Sequence, residues 1–167
     1  MVSVVINTVN EEANIERCIA SVKNFADEVI VVDMESADDT VKLAKKSGAK
    51  VFTHKPMHYV EPARNFAISK AQGDWIFILD ADEEAPTQLI KRLKTIVSEA
   101  AADFVRIPRK NVIFGKWMKH ARWWPDLNIR FFKKGAVVWD DAIHSIPVTD
   151  GMGINLEALE ELAIVNH

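Results

Sequence analysis

The stretch from Trp75 to Glu84 reads WIFILDADEE: five apolar residues, then Asp80, Asp82, Glu83 and Glu84 around a single alanine, with no basic residue until Lys91. Carboxylates this close repel one another, so they need either a cation brought in from outside or a well-solvated surface. Asp80 and Asp82 stand two apart, and in an extended or tightly turning backbone such residues point to one side. They could supply hard oxygen ligands to Mg²⁺ or Mn²⁺, ions that also accept diphosphate oxygens. A metal held there would act as a Lewis acid on a departing diphosphate. The plainer alternative is an acidic helix start, because Glu83 and Glu84 precede a helical segment and suit its positive end.

Such side chains need a scaffold, and the first hundred residues alternate strand and helix. Val2–Thr8, Glu28–Asp33, Ala49–Thr53 and WIFIL are apolar runs of strand length. Between them, Ile15, Cys18, Ile19 and Val22 mark a helix over Glu11–Lys23, and a second runs from about Asp39 to Lys46 before Gly48. A third covers Ala63–Ala71, and Pro86 opens a fourth that carries Leu89, Ile90, Leu93, Ile96 and Val97 on one side. Strands apolar on both faces and separated by helices imply an α/β fold with a mostly parallel sheet covered on both sides. Its ligand crevice lies beyond the strand carboxyl ends, where Asn7–Thr8, Asp33 and Asp80 all fall. After Asp103 the pieces FVRIP, NVIF, NIRFF and AVVW predict a smaller β-rich, antiparallel extension. Leu156–Leu162 predicts a short helix, and the final AIVNH reads as a strand entering something absent, as in a C-terminally truncated chain.

The 167 residues predict a single domain. A net charge of −3 argues against a nucleic-acid partner, yet Arg106–Lys134 concentrates basic residues, as an anionic ligand or an acidic membrane surface would require. Cys18, the single cysteine, excludes an internal disulfide and fits a reducing compartment. VSVVINTVNEE turns polar too soon for a signal peptide, and no apolar run approaches the roughly 20 residues of a membrane span. The expected location is the cytoplasm or the inner face of a membrane, with any membrane association peripheral.

Four segments in order, VVINTVNEE, VIVVDMESADDT, ARNFAISKAQGDW and ILDADEE, resemble the family-two glycosyltransferases, whose core is the nucleotide-sugar-binding GT-A fold. The distal part, from IPRKNVIFGKWMKHARWWPDLNIRFFKKG to DDAIHSIP, is similar to the lipopolysaccharide core subgroup. The resemblance implies a GT-A domain over 1–167, with 1–100 as the nucleotide-sugar-binding half and 101–167 as the acceptor-side half. It implies a nucleotide-diphosphate sugar as donor, a glycan or lipid-linked acceptor, and a divalent metal, Mg or Mn. It puts Thr8, Asn10 and Glu12 near the nucleotide, Asp33 at the base, and Arg64 and Asn65 along the nucleotide site. Asp80 becomes the nucleotide side and Asp82 the metal side of a D-x-D motif. Many relatives carry a second acid where this chain has Met34, which bears on uridine specificity.

Inverting sugar transfer needs a base to take the acceptor hydroxyl's proton. Asp141, with Asp140 beside it, lies where the family places that base, although His144-Ser145 replaces the frequent His-Glu. His144 is a candidate metal or phosphate ligand, or a structural residue. Lys119, His120, Arg122, Trp123 and Trp124 form a basic-aromatic cluster, with the tryptophans either stacking on an acceptor sugar or pinning the extension to the core. Two rivals remain. A nucleotidyltransferase would want a glycine-rich basic loop where NTVNEE stands, and a nucleotide-sugar-binding domain would have lost its base.

Overall fold

The structure is a computed structural model and describes residues 1–56, 61–120, 123–139 and 147–167, with the backbone alone for Glu61 and Pro62. Its first half follows the alternation in the sequence. Strands β1 (Val2–Thr8), β2 (Glu28–Asp33), β3 (Lys50–Thr53) and β4 (Trp75–Asp80) alternate with helices α1 (Ile15–Val22), α2 (Thr40–Lys46) and α3 (Glu61–Lys70). β1 is buried along its whole length because it pairs in parallel with β2 on one side and β4 on the other. Alternate side chains serve two cores. Val4, Ile6, Phe77 and Leu79 pack with Ile15, Ile19, Leu89 and Leu93, whereas Val5, Ile76 and Ile78 pack with Ala67, Ala71, Phe132 and Trp139. Beyond β4 come β5 (Glu83–Glu84) and α4 (Thr87–Glu99), which Pro86 precedes in extended conformation.

The antiparallel extension is present but arranged differently from the sequence reading. FVRIP and NVIF form one strand, β6 (Phe104–Ile113), followed by β7 (Lys116–Trp117) and β8 (Asp126–Lys133). Pro108 interrupts the strand signal without breaking the strand. It falls between Arg106, where β11 (Gly153–Asn155) stops pairing, and Arg109, where β12 (Ile164–Asn166) begins, so neither strand needs the N–H it lacks. β9 (Val137–Val138) and β10 (Val148–Thr149) form a separate ribbon. Among the described residues the main sheet runs β3-β2-β1-β4-β8-β6-β12-β5, with β7 and β11 also on β6.

One expectation at the C-terminal end is corrected. The helix over Leu156–Leu162 is only a 3-10 turn at Glu160–Leu162, too short for its apolar residues to define a face. AIVNH does form the expected strand: β12 pairs in parallel with β6 and antiparallel with β5. It thereby holds the acidic segment that follows β4 in the sheet.

The two edges of the parallel strands contrast chemically. At the amino edge every buried polar group named here is satisfied. Ser3 Oγ donates to Glu28 Oε1 at 2.6 Å, Gln72 N donates to the same oxygen, and Lys50 Nζ meets Glu28 Oε2 at 2.7 Å. Gly73 N donates to Ser3 Oγ at 2.8 Å, and the backbone passes so close that a Cβ on Gly73 would stand 2.7 Å from Ser3 N. This network closes one end of the sheet. The other end is left open.

Candidate functional site

At the carboxyl edge, strand register brings the predicted polar ends together. Asn7 of β1 is the register partner of Asp80 in β4, and Thr8 is the partner of Asp33 in β2. A cavity of about 170 Å³ opens there, lined by Asn7, Thr8, Val9, Glu11, Met34, Asp80, Ala81 and Asp82. Both ends of the Asn7 side-chain amide and the Thr8 hydroxyl are buried without a hydrogen-bond partner among the described residues. An orphaned polar group of this kind costs about 1–3 kcal/mol, and folded proteins rarely keep one without a ligand or water to satisfy it.

The remaining nucleotide-side candidates divide by what they touch. Asp33 is buried and accepts hydrogen bonds from Ser36 N and Ser36 Oγ, so its carboxylate braces the turn after β2. Asn10, at φ 53°, accepts from Ala37 N through Oδ1 and donates its own N–H to Ser36 Oγ. Glu12 accepts from Asp39 N, and its N–H donates to Asp38. Asn10 and Glu12 therefore lace the loop after β1 to the loop after β2 and shape the rim of the cavity. Asn65 donates to the carbonyl of Trp139 at 2.8 Å, anchoring α3 to the extension.

Asp80 sits at the centre of an ion cluster that the sequence reading missed. Arg130 Nη2 donates to Asp80 Oδ2 at 2.9 Å and to Glu83 Oε1 at 2.8 Å, while Arg64 Nη2 reaches Asp80 Oδ1 at 3.3 Å. Arg109 stands 3.8 Å from Glu83 and pairs with Asp126 at 2.7 Å. Burial works to raise the Asp80 pKa, but Arg130 and Arg64 overcome it and hold the carboxyl well below its ordinary range. Glu83, fully buried, goes the other way: burial and the neighbouring Asp80 charge push it up to about 7. The cluster answers part of the question posed by WIFILDADEE, because protein guanidiniums neutralise Asp80 and Glu83. One signal for it was legible, namely an arginine inside the apolar strand IRFF.

Asp82 differs from Asp80. Asn166 Nδ2 donates to its Oδ2 at 3.0 Å, and the backbone N–H of His167 donates to its carbonyl. Glu84 is held on the far side by Arg17 at 2.9 Å and His167 at 2.8 Å. Among the described residues no three His, Cys, Asp or Glu groups form a metal cage. The arrangement fits a hard cation only in the manner of Mg²⁺ sites, with one or two carboxylates and the rest of the shell from substrate phosphates and water. Asp82 is the carboxylate free of arginine pairing and offers the better oxygen. Asp140, Asp141 and His144 lie outside the described residues, as does Arg122. Trp123 is 41% exposed, as a sugar platform would be, whereas Trp124 packs edge-on against Trp117 with centroids 5.0 Å apart. Cys18 lies beneath Asp80, its Sγ 3.5 Å from the Asp80 carbonyl, and burial raises its thiol pKa, which removes it as a nucleophile.

Parallel strands with a carboxyl-edge cavity, continued by an antiparallel extension, are the GT-A architecture, and comparison with known proteins agrees. The family model for glycosyl transferase family 2 matches residues 3–163, and the chain belongs to that family. It is similar to an uncharacterized glycosyltransferase of Rickettsia typhi, 40% identical over 147 residues, covering 86% of this chain and 50% of the relative. An uncharacterized glycosyltransferase of Rickettsia felis is 46% identical over 102 residues, 61% of this chain and 36% of that one. The chain thus spans half or less of the length of these relatives. Among solved structures, Staphylococcus aureus TarS superposes with a TM-score of 0.65 at 20% identity, over 81% of this chain and 47% of TarS. Glucosyl-3-phosphoglycerate synthase from Mycobacterium tuberculosis, crystallised with Mn²⁺ and UDP-glucose, gives 0.54 at 27% identity, over 66% of this chain and 43% of that one.

Proposed function

We propose that this chain carries the donor site of a glycosyltransferase that moves a sugar from a nucleotide diphosphate to a glycan or lipid-linked acceptor. The observation that carries the reading is that Asn7 and Thr8, whose buried polar side-chain atoms have no partner among the described residues, line one cavity with Asp80 and Asp82. A nucleotide has the donors and acceptors to satisfy them. The Mn²⁺ and UDP-glucose bound by the mycobacterial synthase support a uridine nucleotide and a divalent ion here too. Met34, in place of a second acid, gives the base an apolar wall.

In this reading Asn7 and Thr8 orient the nucleoside, and Asp33, Asn10 and Glu12 fix the two loops that frame it. Arg64 and Arg130 keep Asp80 ionised and stationary, and Asp82 presents an oxygen to the divalent cation, Mg or Mn. When bound, that cation would offset the negative charge gathering on the leaving diphosphate. The acceptor hydroxyl attacks the anomeric carbon opposite the diphosphate, and the anomeric C–O bond breaks with its electron pair leaving on the diphosphate. Asp141, or Asp140 beside it, takes the hydroxyl proton, and the configuration inverts. His144 is assigned to the metal or a phosphate and Trp123 to the acceptor sugar, with Trp124 beside it in sequence and packed against Trp117.

Asp141→Asn tests the catalytic half of the proposal. Donor binding should stay within about twofold of wild type while turnover falls by about 10²-fold or more. Full turnover in that variant would remove Asp141 as the base. Donor binding without turnover in the wild-type chain across acceptor mixtures would favour a binding domain instead.

A further inference from the structure

The β6–β7 hairpin carries a feature that the donor site does not use. Val112 pairs with Trp117 and Ile113 with Lys116, leaving Phe114 and Gly115 as a two-residue turn. Both adopt positive φ, 50° and 72°, the pattern of a type I′ turn. Such turns favour Asn-Gly, because a bulky residue at positive φ is strained. Here phenylalanine occupies that place, and it is 100% exposed. Ile113 beside it is 37% exposed. A strained turn that drives a phenyl group wholly into water opposes both local propensity and the hydrophobic effect, and nothing in the donor site needs it.

The segment that carries the tip has one sign of charge. Arg109–His120, RKNVIFGKWMKH, contains four Lys and Arg and no acid. Lys110 pairs with Glu160, and Arg109 with Asp126. Lys116 is exposed, and Lys119 rests 4.0 Å from the centroid of the Trp117 ring. An apolar tip collared by lysines and backed by an indole suits the boundary of an anionic bilayer, where the phenyl enters the acyl region and the ammonium groups stay among the headgroups.

The position of the hairpin gives this contact a purpose. β6 is antiparallel to β8, which is antiparallel to β4, so β6 ends on the same edge as Asp80. The last β4–β8 pair is Phe77 with Phe131, and past an irregularity at Arg130, Asn128 of β8 pairs with Ile107 of β6. From Ile107 the strand runs on to Ile113, roughly 20 Å further at about 3.3 Å per residue. We propose that Phe114 and the lysines around it dock this chain on an anionic lipid surface, with the carboxyl-edge cavity turned toward that surface. The proposal is independent of the nucleotide assignment.

Co-sedimentation with vesicles of phosphatidylcholine containing about one third phosphatidylglycerol tests it. Wild type should bind these and bind pure phosphatidylcholine at least about tenfold more weakly, with affinity falling as salt rises. Phe114→Asn installs the favoured turn pair, so it should match or exceed wild-type thermal stability while losing about tenfold in vesicle affinity. Phe114→Trp should retain binding, and Lys116→Glu with Lys119→Glu should abolish it at moderate salt. Equal vesicle binding by wild type and Phe114→Asn, or no wild-type binding at low salt, overturns the proposal. So does a concentration-dependent dimer that Phe114→Asn dissolves without any vesicle binding, since the tip would then be a contact between copies.

Discussion

Arg130 has two carboxylates to hold and no solvent to help it. Its side chain is 6% exposed and bridges Asp80 and Glu83. Removing it leaves the fully buried Glu83 and the half-buried Asp80 with Arg64 and Arg109 as their nearby guanidiniums among the described residues, so Arg130→Met should cost about 3–5 kcal/mol, read by urea titration. Asp80 and Glu83 also act in opposite senses on pH stability. The native pKa of Glu83, about 7, is above its ordinary 4.5, so the stability it contributes is complete below about pH 4.5 and is lost as pH rises through 7. The native pKa of Asp80 lies below its ordinary 3.8, so its contribution is present above that value and is lost as pH falls beneath it. Glu83→Gln should therefore flatten the decline of Tm between about pH 4.5 and 7 and leave the acid limb in place. An unchanged slope would show that the buried carboxyl does not titrate in that window. Sequence alone placed Asp80 at a strand end, but a covalent neighbour of Ala81 does not reveal that its counterion comes from a strand fifty residues away.

At the level of elements, the parallel half was legible because each strand is a continuous apolar run bounded by a polar end, and each helix repeats at its own period. β6 was harder to read. Pro108 splits its signal, and the strand continues because β8 pairs through it on one side while β11 and β12 leave its position unpaired on the other. β12 was legible as a strand in AIVNH, but nothing in three residues reveals that its partners are β5 and β6. The turn before β4 makes a sharper claim. A Cβ on Gly73 would stand 2.7 Å from Ser3 N and 2.8 Å from Met1 O, both backbone atoms that cannot swing away. Gly73→Ala should lower stability by about 1–3 kcal/mol through displacement of β1 against β4, measured as a fall in Tm. A variant as stable as wild type would mean that the amino edge is softer than its hydrogen bonds imply.

Across the whole molecule, one end of the sheet is closed by satisfied polar groups and the other is left with polar atoms that have no partner among the described residues. The sequence located the open end from the strand termini and named Thr8, Asp80 and Asp82 there. It did not show that Asn7 is orphaned, because that depends on what packs around it. Asn7→Leu replaces both amide atoms with hydrocarbon of similar size, so it should leave the fold as stable or more stable while it removes contacts to the donor. Asp82→Ala should remove the metal-dependent part of binding. The direct measurement is calorimetric titration of UDP, with and without Mn²⁺, into wild type, Asn7→Leu and Asp82→Ala. Wild type should bind in a manganese-dependent way, Asn7→Leu should bind at least about tenfold more weakly at undiminished Tm, and Asp82→Ala should lose the response to manganese. Wild-type affinity in both variants, or no binding of any nucleotide diphosphate to the wild-type chain, would contradict the donor site described here.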